Sequence, residues 1–268
     1  MNDGIMKNSA INKFLKIPKF AKHIILVASG KGGVGKSTIA LNLALTFQCL
    51  KMKVGLLDAD IYGPSLPKLL NKNVKPEIEN RSFLPIDVKG IKTMSIGYLI
   101  PEETPNIWRG PMVIKAVTQL LRDVSWGELD ILIIDTPPGT GDVQLTISQK
   151  IDVSGAIIIT TPQELSILDV KRGINMFRKV NLQILGLVNN MSYYICDKCE
   201  KKHYIFGKQL NHELTNSFDI EILGELPISK DLIKSHDIEH PIIKQKQSDI
   251  IFKSFFDICQ KVLDKITV

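Results

Sequence analysis

The eight residues from Gly30 to Ser37, GKGGVGKS, constrain this chain more than any other stretch. They match the pattern G-x-x-x-x-G-K-[ST], follow an apolar run over His23 to Ala28, and precede a helical pattern that continues to about Cys49. In that context the loop is a phosphate cradle. Gly30, Gly32, Gly33 and Gly35, with Val34 between them, let backbone N–H groups curl around an anion, while the helix opening at Lys36, Ser37 and Thr38 aims its positive end at the same point. Lys36 adds a point charge and Ser37 offers a hydroxyl to Mg²⁺. Such a loop demands a sheet strand before it and a helix packed on that sheet after it. The pattern needs only Lys36, so Lys31 is a second lysine whose purpose the loop itself does not explain.

The rest of the chain supplies the sheet. Strand-like runs recur at Lys53 to Leu57, Ile131 to Asp135, Gly155 to Thr160 and Gln183 to Val188, each leading through a loop into helical spacing. That alternation predicts a doubly wound α/β fold with a mostly parallel sheet. The runs are apolar almost throughout, as strands covered on both faces must be. From Pro64 to Thr104 five prolines and weak periodicity read as an excursion from the sheet. The polar segment from Cys196 to Phe206 reads as an exposed loop at a strand's C-terminal end, where ligand chemistry collects in open α/β sheets.

Composition excludes several classes. Most of the +6 net charge lies in the first 22 residues, where Lys7, Lys13, Lys16, Lys19 and Lys22 face Asp3 alone. The body keeps too little charge to argue for a nucleic-acid groove, so no nucleic-acid partner is expected. Residues 1–22 read as a basic tail or the remnant of a mitochondrial presequence, and residues 23–268 as the domain built on the phosphate loop. No apolar run approaches the roughly 18 residues of a membrane helix, so a soluble protein without stable membrane insertion is expected. Four cysteines, Cys49, Cys196, Cys199 and Cys259, are too few for a disulfide scaffold and fit a reducing compartment.

Two acidic strand ends stand ready to serve the phosphate loop. Asp135 closes ILIID, and Asp58 and Asp60 close VGLLDAD. Such carboxylates can divide between supporting Mg²⁺ and orienting an attacking water, although either residue of the second pair can instead cap the turn that follows. Cys196 and Cys199 form C-x-x-C, two thiolates for one metal or cluster edge and half of a tetrahedral set. Zinc within one subunit would recruit His203 and still lack a fourth ligand, so His203 reads as a solvated loop histidine. Cys49 and Cys259 fall in helical patterns and read as packing residues.

With Lys31 in place, the loop resembles the deviant Walker A class K-G-G-x-x-G-K-[ST], which includes nitrogenase iron protein and the cell-division and plasmid-partition ATPases. That resemblance implies a homodimer in which Lys31 reaches the partner's nucleotide, an arginine-finger-like duty. Two copies of the cysteine pair would then supply four thiolates at one interface. More narrowly, ASGKGGVGKST, LLDADIYGPSLP, WRGPMV, IDTPPGTGDVQLTISQ, TPQELSILD, LVNNMSYYICDKC and IFG, in this order, resemble the Mrp (ApbC) iron–sulfur carriers, and most of all their alphaproteobacterial and mitochondrial, NUBPL-like members. The resemblance implies ATP and Mg²⁺ as ligands, slow hydrolysis, and a labile [4Fe–4S] cluster held by Cys196 and Cys199 of two subunits and delivered to apo iron–sulfur proteins, respiratory complex I assembly among its uses. It makes Lys31, Lys36 and Asp60 catalytic, gives Ser37 and Asp135 to Mg²⁺, Gly139 to Asp142 to a second nucleotide-sensing switch and Asn190 to adenine, and leaves Arg109 a family mark without a derived role. It also implies the mitochondrial matrix in a eukaryote or the cytoplasm in a bacterium. Against the family pattern, the small N-terminal domain of many bacterial relatives is not expected before Gly30, KQLNHEL stands where a glycine-rich turn is usual, and Asn189-Asn190-Met191-Ser192 stands for E-N-M-S. The competing reading is a positioning ATPase bound to membrane or DNA, whose membrane form needs an exposed amphipathic helix over Ile250 to Ile266. A reductase resembling nitrogenase iron protein would need cysteines beside the switch after Asp135, and TPPGTGDVQL has none.

Overall fold

The computed structural model describes residues 20–72, 74–100, 110–139, 141–207, 217–230, 232 and 248–267. In chain order the elements are β1 (Ala21–Ser29), α1 (Lys36–Cys49), β2 (Val54–Asp58), α2 (Leu66–Leu69), β3 (Ile78–Glu79), β4 (Ser82–Phe83), β5 (Ile86–Val88), β6 (Ile91–Ser95) and α3 (Gly110–Arg122). They continue with β7 (Leu129–Asp135), α4 (Asp142–Lys150), β8 (Gly155–Thr160), α5 (Glu164–Lys179), β9 (Ile184–Ile195), β10 (Lys202–His203), β11 (Ile222–Pro227) and α6 (Ser248–Ile266).

One sheet organises them, in the order β10-β9-β8-β1-β7-β2-β6-β5, with β11 also paired to β9. Every pairing among β1, β2, β6, β7, β8, β9 and β11 is parallel; β5 and β10 join antiparallel. This is the doubly wound α/β fold the alternation of runs predicts. β1 lies centrally, and its register with β7 sets Val27 opposite Asp135, so the phosphate loop and the acidic strand end emerge side by side. The core divides between the two faces of the sheet. Leu26, Leu57, Leu132, Ile134 and Ile158 pack toward one cluster and Ile25, Val27, Ile131, Ile133 and Ile159 toward the other, the alternation a two-sided sheet requires.

α1 is buried on several sides, through Ile39, Ala40, Leu41, Leu43, Ala44 and Phe47. It packs on the sheet beside α6, whose Ile251, Phe255, Ile258, Cys259 and Val262 are buried against β11 and α1. Cys259 is thus a packing residue, as expected, while Cys49 is only half-buried.

Three expectations change. The stretch from Pro64 to Thr104 is not wholly an excursion, because Ile91–Ser95 returns as a parallel strand beside β2. Its buried Thr93 and Ser95 dilute the apolar signal, and both are satisfied internally: Thr93 Oγ1 donates to the Ile86 carbonyl and Ser95 Oγ to Asp58. β9 runs seven residues beyond Val188, to Ile195. The segment after it is a hairpin rather than a loop, with His203 opposite Tyr194 and Lys202 opposite Ile195.

Candidate functional site

The phosphate loop leaves β1 at Ser29, whose hydroxyl donates to the Lys31 carbonyl at 2.9 Å. Gly33 and Gly35 take φ of 81° and 83°, which side-chain-bearing residues rarely adopt. At Gly35 space is short as well, since a Cβ there would sit 2.4 Å from Asn190 Nδ2. That amide donates to the Val34 carbonyl at 2.8 Å. Asn190 on β9 therefore clasps the loop, and its own Oδ1 is buried without a partner among the described residues. α1 starts at Lys36 with no acidic residue in its first turn, leaving the positive helix end uncompensated.

Lys36 Nζ lies 2.5 Å from Asp135 Oδ1, and both side chains are buried, at 6% and 4% exposure. A buried pair of this kind is costly to desolvate, and a phosphate entering the loop offers the ammonium a second anionic partner. Ser37 Oγ lies 3.4 Å from the same ammonium. Asp58 faces Asp135 across the β2–β7 pairing. Its oxygens are already engaged: Oδ1 accepts the Asp60 N–H, and Oδ2 accepts the Ser65 and Leu66 N–H groups and the Ser95 hydroxyl. Burial and then the charge of Asp135 push the Asp58 carboxyl up to about 7, against those donors and Lys36. Asp58 therefore ties down the turn and the start of α2. Asp60 accepts the Gly63 N–H at 3.3 Å and a backbone N–H from Tyr62, and burial raises its carboxyl while Lys36 lowers it.

Lys31 is half-buried, and its ammonium donates to Gln163 Oε1 at 3.0 Å, just before α5. Gly30 is tight in its turn: a Cβ there would meet Asp169 Cβ of α5 at 2.4 Å. Gly139, where the resemblance places the start of a second switch, donates its N–H to the Ser29 carbonyl at 2.8 Å. Thr140, the side chain of Asp142 and Arg109 lie outside the described residues.

Cys196 and Cys199 occupy the turn between β9 and β10. The turn is closed by the Cys196 N–H donating to Lys201 and the Glu200 N–H donating to Cys196. Lys202 lies over the Tyr193 ring, 4.2 Å from its centroid, and Tyr193 packs at a tilt on Tyr204. Backbone N–H groups of Lys198 and Cys199, with the Cys199 thiol, hold the Cys196 thiol below its ordinary range. Burial pushes Cys49 and Cys259 the other way. The thiol moved toward the deprotonated form that metal ligation requires is thus Cys196, in the hairpin. His203 is exposed, as the sequence suggests, but it belongs to a strand rather than a loop. It lies on β10, and one of its ring nitrogens and the two sulfurs all lie within 4.8 Å of one another.

Sequence reasoning missed Gln163 and Gln144. The latter is buried on α4, with Nε2 donating to Thr136 Oγ1 and the Pro137 carbonyl and Oε1 unpartnered among the described residues. Its only signal was a polar residue one turn into a helix that starts directly after the Asp135 loop.

A central parallel sheet, a glycine loop feeding a buried helix, and acidic ends on two adjacent strands define a P-loop NTPase of the type with a second loop lysine. The family model for the NUBPL iron-transfer P-loop NTPases, within the ParA group, matches residues 20–263, and the chain belongs to that family. It is 46% identical over 254 residues to an iron–sulfur cluster carrier protein of Aquifex aeolicus, covering 94% of this chain and 69% of that one. It is 44% identical to an Arabidopsis thaliana mitochondrial iron–sulfur protein required for NADH dehydrogenase, covering 90% and 78%. Among solved structures, a nucleotide-binding protein from Archaeoglobus fulgidus in complex with ADP, with Co found in it, superposes with a TM-score of 0.72 at 39% identity, covering 82% of this chain and 87% of that one.

Proposed function

We propose that this protein binds and slowly hydrolyses ATP while carrying a [4Fe–4S] cluster, which it receives as cargo on Cys196 and Cys199 of two subunits and surrenders to apo iron–sulfur proteins. One observation carries the reading: β9 holds Asn190 against the phosphate loop and, six residues on, presents two exposed or half-exposed thiols. The names of the Aquifex and Arabidopsis relatives support iron–sulfur delivery, and the latter supports complex I assembly in a mitochondrion as one setting. A bacterial member of the family would work in the cytoplasm.

In this reading Lys36 turns from Asp135 to the phosphates, Ser37 ligates Mg²⁺ and Asp135 supports it, and Asp60 orients the attacking water. The donors are of the right kind for magnesium, hard oxygens beside a phosphate cradle. Asn190 Oδ1, a buried acceptor without a partner among the described residues, suits the amino group of adenine. Lys31 leaves Gln163 to reach the partner's nucleotide in a homodimer. The positioning-ATPase alternative is not favoured, because the apolar face of α6 is spent on β11 and α1.

Cluster transfer from the loaded protein to an apo-ferredoxin, followed spectroscopically with ATP, ADP and no nucleotide, tests the reading. Transfer rates that differ with nucleotide in wild type and converge in Asp60→Asn are expected. Identical rates under all three conditions would sink the coupling of ATP to the cargo.

A further inference from the structure

We infer that Cys196, Cys199 and His203 of a single subunit form a three-ligand site for one borderline divalent cation of the Zn²⁺, Co²⁺ or Fe²⁺ class, with a fourth position that no other described residue fills. The inference rests on the carrier reading only in sharing its two thiolates; the third ligand and the one-subunit stoichiometry are additional.

The geometry is already near that of a closed site. Around a tetrahedral cation with metal–sulfur bonds of about 2.3 Å and metal–nitrogen bonds of about 2.0 Å, donor atoms stand roughly 3.5–3.8 Å apart. The three donors here lie within 4.8 Å of one another. They are held by backbone rather than by chance. The antiparallel register sets His203 opposite Tyr194, two residues before Cys196, and the Cys196 and Glu200 hydrogen bonds close the turn between. Lys198 and Cys199 N–H groups point at the Cys196 sulfur, the outer-shell arrangement that steadies a metal-bound thiolate. Two sulfurs and an imidazole suit borderline cations and disfavour Mg²⁺ or Ca²⁺.

No fourth His, Cys, Asp or Glu among the described residues joins the group. Structural zinc sites are closed by four ligands, whereas a site with three keeps an exchangeable position. His203 and Cys199 are exposed, so the cation is reachable by solvent or by another protein. Because the same two thiolates serve the shared cluster, cation binding and cluster bridging exclude each other. A single subunit then has a way to keep its thiolates ligated, and therefore shielded from oxidation, while it has no partner.

Anaerobic titration of the full-length, metal-free protein with Co²⁺ alone tests this, since cobalt reports its ligands through thiolate charge-transfer and ligand-field bands. One Co²⁺ per chain, in a species that remains monomeric by light scattering, is expected. His203→Ala should weaken binding by at least about 10-fold and change the ligand-field envelope, because removing a direct ligand costs no less than removing an outer-shell partner. His203→Cys should restore tight binding with a stronger thiolate band. Circular dichroism confirms that these exposed-site variants stay folded. Equal affinity and an unchanged spectrum in His203→Ala, or no thiolate band in wild type, overturns the inference. Iron–sulfide reconstitution of His203→Ala separates the two readings: normal cluster uptake with lost cobalt binding supports a one-subunit role for His203. Cluster loss with cobalt binding intact overturns it and leaves the carrier reading standing.

Discussion

Lys36 and Asp135 show how one residue can be required for opposite reasons. The lysine is positioned for phosphate, yet without nucleotide its charge is balanced inside the protein by a carboxylate 2.5 Å away. Lys36→Ala therefore removes more than a ligand contact: it strands a buried charge, at a cost of about 3–5 kcal/mol. Urea denaturation should show that loss, while Lys36→Ala Asp135→Asn should recover most of it and still fail to bind nucleotide by calorimetry. Strict additivity of the two stability losses would refute the coupling. Asp58 gives a second prediction. Its carboxyl stands near 7 in the folded protein, pushed up by burial and then by Asp135, against an ordinary value of 3.8. Between those values the folded state keeps a proton that the unfolded chain has lost, so this residue makes stability fall as pH rises from about 4 to about 7 and level off above. Urea midpoints measured across that window should slope downward in wild type and more weakly in Asp58→Asn; parallel curves would count against the assignment.

At the scale of elements, β9 joins what the sequence presents as separate features. Its pairing with β11 slips between Asn189–Glu225 and Tyr193–Pro227, and Met191 inside the slip takes φ of 55°. A bulge there re-aims neighbouring side chains, and its neighbour Asn190 points into the phosphate loop. The contact with Gly35 is testable as a cycle. Gly35→Ala carries about 1–2 kcal/mol for the left-handed backbone, plus the collision with the Asn190 amide. Thermal unfolding should show the larger cost in wild type and only the backbone share in an Asn190→Ala background; equal costs in both would remove the clasp. The loop itself was fully legible in the sequence, because glycine spacing and a following helix are local facts. So were the strands read at Ile131 to Asp135 and Gly155 to Thr160, whose stretches 131–134 and 156–159 are apolar without interruption. β6 was hidden by Thr93 and Ser95, whose buried hydroxyls look like loop chemistry until their partners in other segments are known. His203 was hidden for a related reason: its nearness to the thiols depends on hairpin register, which spacing alone does not determine.

For the whole molecule, the decisive quantity is the count of thiolates. One subunit brings Cys196 and Cys199 together, while Cys259 is buried in α6 and Cys49 ends α1, so neither completes a cluster in place. A [4Fe–4S] centre ordinarily takes four cysteine ligands, which two such hairpins would supply in the proposed dimer. The hairpin also exposes Ile205 at 61% and Phe206 at 40%, apolar surface that a second copy meeting at the cysteines would cover. Reconstituted protein should therefore contain about four iron atoms per two chains and sediment as a dimer. Cys196→Ala and Cys199→Ala should each lose iron and cluster-dependent dimerisation together, because a cluster left with one thiolate on one side is not bridged. Cys259→Ala should keep its iron and lose about 1 kcal/mol of packing stability, and Cys49→Ala should keep its iron with a smaller loss still. Iron analysis and analytical ultracentrifugation on the same samples decide the matter. Full iron loading in the Cys196→Ala Cys199→Ala double variant, or a loaded wild type that remains monomeric, would place the cluster elsewhere and remove the physical reason for a dimer at this hairpin.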